Sequence, residues 1–338
     1  MQETVLGILL LIVAGVMNAN FTVPMKFTTR WAWENTWLAF SIFALLMMPV
    51  AMALFTIPNL GSVYREAGTG AVLLVAACGL GWGIAQVLFG LAVQAIGIAL
   101  TFSIVLGISA AIGSLLPLIQ LHPEKLFSTA GLGIIAGVIL VAIGVTVCAV
   151  AGRRREAALQ TGPQGNAASV GRGLSIAIVS GFLAAAMNFG VAFGAPISRA
   201  ALAAGAESLW TVNAIWVPLM IAGAIPNLLY CVYLMKKNRT GDRFSNGGGA
   251  YWLLALLMAF FWFASSIMYG VSAAKLGELG PVLGWPLFMS LIVIVASVVG
   301  IVTGEWKDTG KAPVRIQAFG VAILVIAVVV FSRASIYL

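Results

Sequence analysis

Charge is what this sequence has least of: 8% of its 338 residues are Asp, Glu, Lys or Arg, where a soluble domain carries about a quarter. With 62% hydrophobic residues it has too few polar side chains to cover a water-facing surface. That excludes a soluble enzyme and a nucleic-acid module, and disorder is excluded because disorder needs low hydrophobicity. There are three cysteines, Cys78, Cys148 and Cys231, all inside apolar runs, so no disulfide framework is implied. The single histidine, His122, sits beside Pro123-Glu124-Lys125 in a polar break and offers no metal centre. No HExxH, GxSxG or GxxxxGK[ST] pattern occurs, which removes the metalloprotease, the serine hydrolase and the ATP-driven pump. The chain is therefore expected to be no enzyme and to need no cofactor. Its net charge of +8 lies between apolar runs, so it points to no nucleic acid. No Lys or Arg precedes the first apolar run and there is no convincing cleavage site, so the run is expected to stay in the membrane as a span.

What is present is apolar length. A hydrocarbon core about 30 Å thick needs about 20 apolar residues per helix, and polar or Pro/Gly-rich breaks cut the chain into ten such segments. They are Val5–Val23, Thr36–Ile57, Gly70–Val93, Ile96–Ile119, Thr129–Ala151, Gly173–Ala195, Leu209–Met235, Ala250–Ser272, Pro281–Thr303 and Val314–Phe331. The expected fold is all-α, with ten transmembrane helices. Alternate connections hold 13 and 5 Lys and Arg. Positive charge stays on the cytoplasmic side, so both termini are expected outside and the Arg153–Arg172 stretch inside.

The segments also resemble one another. At an offset of 180 residues, Trp82, Phe89, Gly90, Ile96 and Gly97 correspond to Trp262, Tyr269, Gly270, Leu276 and Gly277. At 183, Gly137-Val138 and Ile143 correspond to Gly320-Val321 and Ile326. Gly7 and Gly15 fall more weakly opposite Gly173 and Gly181. Residues 1–152 and 173–338 then form two five-helix repeats joined by a linker at 153–172 that contains Gly162-Pro163-Gln164-Gly165-Asn166. Five spans is an odd number, so the second repeat must enter the membrane inverted. Inverted repeats build substrate sites near the midplane and work by alternating access.

Polar and aromatic residues inside spans are the candidate site. The amides are Asn18, Asn20, Gln86, Asn188 and Asn213. Trp82, Gln86 and Phe89 share one helix face, and Trp262, Ser266 and Tyr269 repeat the spacing. Together with Asn20, Asn188 and Trp285 they offer aromatic planes and hydrogen-bonding groups without fixed charge. That suits a neutral polyhydroxylated ligand, whose C–H face lies on Trp and whose hydroxyls bond the amides. The competing reading is ordinary helix packing, which also explains the small residues Ser103, Gly107, Ala111, Ser114, Gly133 and Gly137. Gly280-Pro281, Gly284-Trp285-Pro286, Pro218 and Pro226 can kink spans or simply start them. Lys26 and Glu34, beside Trp31 and Trp33, read as an interfacial anchor or a gate, and Glu278 and Glu305 as carboxylates able to exchange a proton near the surfaces.

These residues carry a family resemblance. Pro24-Met25-Lys26, Trp31-Ala32-Trp33-Glu34 with Trp37, Trp82-Gly83-Ile84 with Gly90-Leu91, Gly97, Gly107-Ile108 to Pro117, Gly304-Glu305-Trp306, Gly310 and Pro313-Val314 resemble the bacterial L-rhamnose–proton symporter family of the drug/metabolite transporter superfamily. The resemblance runs from the first span to the last. It implies a ten-helix 5+5 inverted-repeat fold in the bacterial inner membrane and uptake of a neutral deoxy-sugar with protons. It also implies a cavity between spans one, three, four, six, eight and nine. It supports Trp82, Trp262, Tyr269 and Trp285 as matched aromatics, and Lys26, Trp33, Glu34 and Glu305 as family-pattern residues. The chain departs from that pattern at Gly280-Pro281-Val282, where an acid is expected, at Gln86, where an Asn is, and at Asn20, where a small residue is. Glu278 is the nearest substitute acid. An exporter, exchanger or facilitator of another small metabolite on the same fold stays open, whereas a membrane enzyme or sensor would need a catalytic pair or soluble domain that the sequence lacks.

The charge bias makes one outcome specific. A reporter fused after Leu338 is expected to work when it needs the outer face and to be silent when it needs the cytoplasm; the reverse pattern would invert the topology.

Overall fold

Apolar runs of this length become helices because a backbone in lipid must bond to itself. The computed structural model describes residues 2–159 and 167–335, and among them no strand occurs. The helices are α1 (Gln2–Asn20), α2 (Trp33–Ser41), α3 (Met48–Thr56), α4 (Leu60–Ala67), α5 (Thr69–Ile96), α6 (Ile98–Leu121), α7 (Thr129–Ala158), α8 (Ala167–Ala184), α9 (Ala186–Phe193), α10 (Ala195–Ala203), α11 (Asn213–Asn238), α12 (Gly248–Lys275), α13 (Gly280–Val302) and α14 (Lys311–Ala334). They supply ten helical stretches long and apolar enough to cross a membrane. The chain is thus a ten-span integral membrane protein. The Gly162-Pro163-Gln164-Gly165-Asn166 part of the expected linker lies outside the described residues.

Local chemistry explains where the elements differ from the segments drawn on hydropathy. The second stretch joins α2 to α3 through a π-helical turn, Ile42–Met47, just before Pro49. The sixth, Val170–Ala203, is interrupted between α8, α9 and α10, the last break falling at Gly194 ahead of Pro196. The seventh starts at Asn213, not Leu209. Helix α7 continues through Arg153–Ala158, so the basic residues extend a helix. Helix α4 has no counterpart among the ten segments, because its eight residues carry Arg65 and Glu66. Asn59 caps it from the left-handed region (φ 46°), accepting a hydrogen bond from the Ser62 N–H.

The chain forms two compact units. One contains Met1–Val16, Leu88–Asn188 and Ser272–Leu338, and the other Met17–Val87 and Phe189–Val271. In the first, α7 packs along α14 and α6, and α13 packs on α6 and α14. In the second, α11 packs against α2 and α3, and α10 against α4.

Lipid tails are as apolar as leucine, so helices in a membrane gain little by hiding apolar surface from it; close approach at small residues holds them together. In the first unit these approaches recur at counterpart positions. A Cβ on Gly7 would meet Leu276, and one on Gly173 would meet Ile96. Likewise Gly137 faces the Phe331 ring while Gly320 faces Cys148. Gly97 and Gly277, matched in sequence, turn the chain from α5 into α6 and from α12 into α13 with φ of 84° and 80°, a conformation that suits glycine alone.

In the second unit α5 and α11 touch backbone to backbone. A Cβ on Gly83 would collide with the Gly223 carbonyl oxygen, and one on Gly79 with that of Leu219. Gly83→Leu should therefore lower the thermal stability of the detergent-solubilised protein by about 1–3 kcal/mol or abolish folding. Gly107→Ala, with open space around its Cβ position, should leave the melting temperature unchanged.

Candidate functional site

The close approach of α5 and α11 positions an aromatic site in the second unit. Gly223 leaves room for the Trp82 indole, which lies on it so closely that a Cβ would come within 2.8 Å of the ring. Trp82 also stacks on Trp262 of α12, with ring centroids 5.4 Å apart and planes at 27°. These are the two tryptophans matched by the 180-residue offset. Phe40 meets Trp262 edge-on at 6.0 Å, Trp37 lies 4.9 Å from Phe40, and Trp33 stacks on Trp37 at 5.2 Å. Phe21 closes on Phe40 at 5.6 Å. A ladder of rings thus runs from Trp33, which is 42% exposed, to the buried Trp262 and Trp82.

Hydrogen bonds hold this ladder. Trp37 donates its Nε1–H to Asn227 Oδ1 at 3.1 Å, and Asn227 Nδ2 donates to the Gly223 carbonyl at 3.0 Å. Asn18 Nδ2 donates to Ser265 Oγ at 2.9 Å. Ser266 Oγ donates to the Trp262 carbonyl one turn back at 3.1 Å, which occupies its proton within α12. Gln86 lies one turn beyond Trp82 on α5 and is half-buried. Among the described residues its amide has no hydrogen-bond partner, and it is not among the fully buried polar groups, so it stays accessible to a ligand.

The remaining expected site residues divide between the units. Asn20 is half-buried at the end of α1, Tyr269 is fully buried on α12, and Lys26 is exposed in a short 3-10 turn, all in the second unit. Phe89, Asn188 and Trp285 belong to the first unit. Phe89 meets Phe102 edge-on at 4.9 Å. Asn188 Nδ2 donates to the Gly113 carbonyl at 2.7 Å and the Pro281 carbonyl at 3.0 Å. Trp285 Nε1 donates to the Ser109 carbonyl at 3.0 Å, its ring seated against Gly113. Asn188 and Trp285 therefore converge on one turn of α6, where their bonds fasten helices.

The carboxylates occupy contrasting settings. Glu34, in the first turn of α2, is 5% exposed. Its Oε1 accepts from Thr240 Oγ1 at 2.7 Å and Asn238 Nδ2 at 3.0 Å, and neighbouring Asn35 donates to the Thr240 carbonyl at 3.0 Å. Its hydrogen-bond partners are thus neutral. Glu278 is exposed and accepts from Lys125 Nζ at 2.8 Å; that hydrogen bond, and then the ammonium charge, hold its carboxyl below the usual range. Glu305 pairs with Arg155, whose Nη2 lies 3.4 Å from Oε2 and whose Nε donates to the Glu305 carbonyl at 2.8 Å. No group of metal-ligating side chains occurs among the described residues.

The ring stack and the amide beside it lie within a ten-span membrane protein, and comparison with known proteins gives its family. The L-rhamnose-proton symport protein (RhaT) family matches residues 1–335. The chain belongs to that family. Among its relatives, the L-rhamnose-proton symporter of Mannheimia succiniciproducens is 30% identical over 335 residues, covering 95% of each chain. That of Yersinia pestis is 28% identical over 331 residues, 96% of each.

Sequence reasoning missed Trp37, Phe40 and Asn227 as members of this aromatic cluster. The signals were there: Trp33, Trp37 and Phe40 recur at helical spacing, and Asn227 is a further amide inside an apolar run, just after Pro226. Asn227→Leu should cost about 1–3 kcal/mol by leaving the Trp37 N–H unpaired, and adding Trp37→Phe should recover part of that loss. Thermal unfolding of the two variants and their combination measures the coupling.

Proposed function

We propose that this protein is a secondary active transporter that imports L-rhamnose, or a closely similar deoxy-sugar, together with protons by alternating access. The observation that supports it most is the stacked Trp82–Trp262 pair with the unpartnered Gln86 amide beside it. A 6-deoxy-sugar has an apolar C–H face and a methyl group for the rings, and hydroxyls for the amide. The ladder through Trp33, Trp37 and Phe40 offers the same apolar face a series of footholds.

Residues 1–152 and 173–338 act as the two inverted repeats. Supporting this, the division between the compact units falls within α1 and α5 of the first half and α9 and α12 of the second, the first and third spans of each. The reciprocal contacts of Gly7 with Leu276 and Gly173 with Ile96, and of Gly137 with Phe331 and Gly320 with Cys148, support it further. The protein resides in the bacterial inner membrane with both termini on the periplasmic side, as the Lys and Arg bias indicates.

Glu34 is the residue we assign to proton coupling. A carboxyl that must gain and lose a proton within a cycle works when burial, which opposes its charge, is set against hydrogen bonds that favour it. Glu34 has both. Glu278, held ionised by Lys125 in water, acts as a surface latch, and Lys26 and Glu305 as gate residues at the membrane edge. One proton crossing about 100 mV supplies about 2.3 kcal/mol, enough for about fifty-fold accumulation of a neutral solute.

Uptake into proteoliposomes tests the reading. A pH gradient, acid outside, should drive saturable L-rhamnose accumulation. Trp262→Ala and Gln86→Ala should each raise KM about tenfold or more while leaving the protein folded. Glu34→Gln should abolish gradient-driven accumulation yet keep counterflow exchange, whereas Glu278→Gln should keep both. No L-rhamnose uptake together with saturable binding of another solute would make the protein an exporter or exchanger instead.

A further inference from the structure

The first unit contains a cleft that the sugar reading does not use. It has room of about 230 Å³ and lies among α6, α7, α13 and the turn at Glu305-Trp306. Its walls are apolar: Ile98, Phe102 and Leu106 from α6, and Ile292, Val293 and Ala296 from α13. The polar groups that line it are turned to one another. Ser103 Oγ donates to the Ala99 and Val145 carbonyls, Gln317 Nε2 donates to Ser297 Oγ, and Glu156 accepts the Ala99 N–H. Little hydrogen-bonding capacity is left for a sugar's hydroxyls.

One end of the cleft is strongly basic. Gly144 packs on Leu324 and Gly320 on Cys148, so α7 and α14 run antiparallel and bring Lys311 and Arg315 to the same end as Arg153, Arg154 and Arg155. Lys307 joins them from the turn before α14. Arg153, Arg154, Lys307, Lys311 and Arg315 are exposed. Three acids stand against six basic residues at this end: Glu305 is paired with Arg155, Glu156 bonds the Ala99 amide, and Asp308 is exposed beside Lys307, which leaves an excess of positive charge. Arg155 lies at the mouth, its guanidinium 5.5 Å over the Trp306 ring, which fixes its plane there.

An apolar groove ending in an excess of cations is complementary to an amphiphile with an acyl tail and an anionic head. We infer that this cleft binds an anionic phospholipid, with one acyl chain along Phe102 and Ala296 and the headgroup phosphate among the exposed Arg153, Arg154 and Lys311 beside the Arg155–Glu305 pair. Juxtamembrane cations attract anionic lipid additively, each contributing about fivefold in affinity, and bridging by a lipid would tie α6, α7 and α14 together at this end.

Native mass spectrometry of the full-length protein tests this with palmitoyl-oleoyl phosphatidylglycerol, and with phosphatidylcholine of the same chains as the comparison. Retention of phosphatidylglycerol should exceed that of phosphatidylcholine by about tenfold or more. Ala296→Trp, at an exposed position of the groove, should cut phosphatidylglycerol binding about tenfold by filling the groove. Arg153→Gln with Arg154→Gln should cut it comparably, with helical content and melting profile intact. If Ala296→Trp misfolds, Ala296→Leu reads the same contact. Equal retention of the two lipids overturns the inference, as does loss on removing charge with no effect at Ala296. Glycerophosphate binding as tightly as the lipid would make this a simple anion site, and displacement of the lipid by L-rhamnose would make it a sugar vestibule; either result overturns the inference.

Discussion

Everything in this protein depends on helices being held together in a solvent that does not drive them together. In lipid, an apolar side chain gains little by turning from tail to neighbour, so cohesion comes from backbone approach at small residues and from satisfied polar bonds. The contacts of Gly79 and Gly83 with α11, and of Gly137, Gly144 and Gly320 along the α7–α14 seam, are of this kind. Large side chains are consequently free to face lipid: Phe55, Leu229 and Val302 are 87%, 65% and 80% exposed without any cost that water would exact.

The same constraint separates polar residues that hold the fold from those available to a ligand. A buried amide must find a partner, and most do: Asn188 bonds two carbonyls, Asn227 bridges Trp37 to the α11 backbone, and Asn18 reaches Ser265. An amide that stays unpaired within a span has been left so against a penalty of about 1–3 kcal/mol on the scale of protein mutations. Gln86 escapes that penalty by being only half-buried: its amide is unpaired among the described residues yet accessible, and it stands one turn from Trp82 of the tryptophan stack. Unspent bonding capacity next to an aromatic plane is what the proposed sugar site requires, since a hydroxylated solute could bond the one and lie on the other.

Span number, the family and the pairing of the two tryptophans were legible in the sequence because each rests on long apolar runs or on rare residues at fixed offsets. Breaks within spans were harder to see. The interruptions at Ala185 and Gly194 and the π turn before Pro49 cost hydropathy nothing, and α4 is too short and charged to register on a window meant for spans. Partnership was hidden as well: Asn188 and Gln86 look alike as intramembrane amides, and only the presence of carbonyls within 3.0 Å of the first distinguishes them. Burial set Glu34 apart from Glu278 in the same way, since both are lone carboxylates beside a span in sequence.

A sugar has no two-fold axis, which sets a requirement on any site built from duplicated halves. Trp82 and Trp262 are counterparts in sequence and meet ring to ring, so in the proposed site the apolar part would come from both halves equally. The residues one turn further along are where the copies part: Gln86 keeps its amide free, while its counterpart Ser266 returns its hydroxyl to the Trp262 carbonyl. Phe89 and Tyr269 differ in the same register. A symmetric pocket would bind a chiral solute in two equivalent orientations and present its hydroxyls to the wrong groups half the time. In the proposed site the hydrogen-bonding amide falls in one half and the spent hydroxyl in the other, so repetition would supply the stacking surface and divergence the direction in which the ring is read.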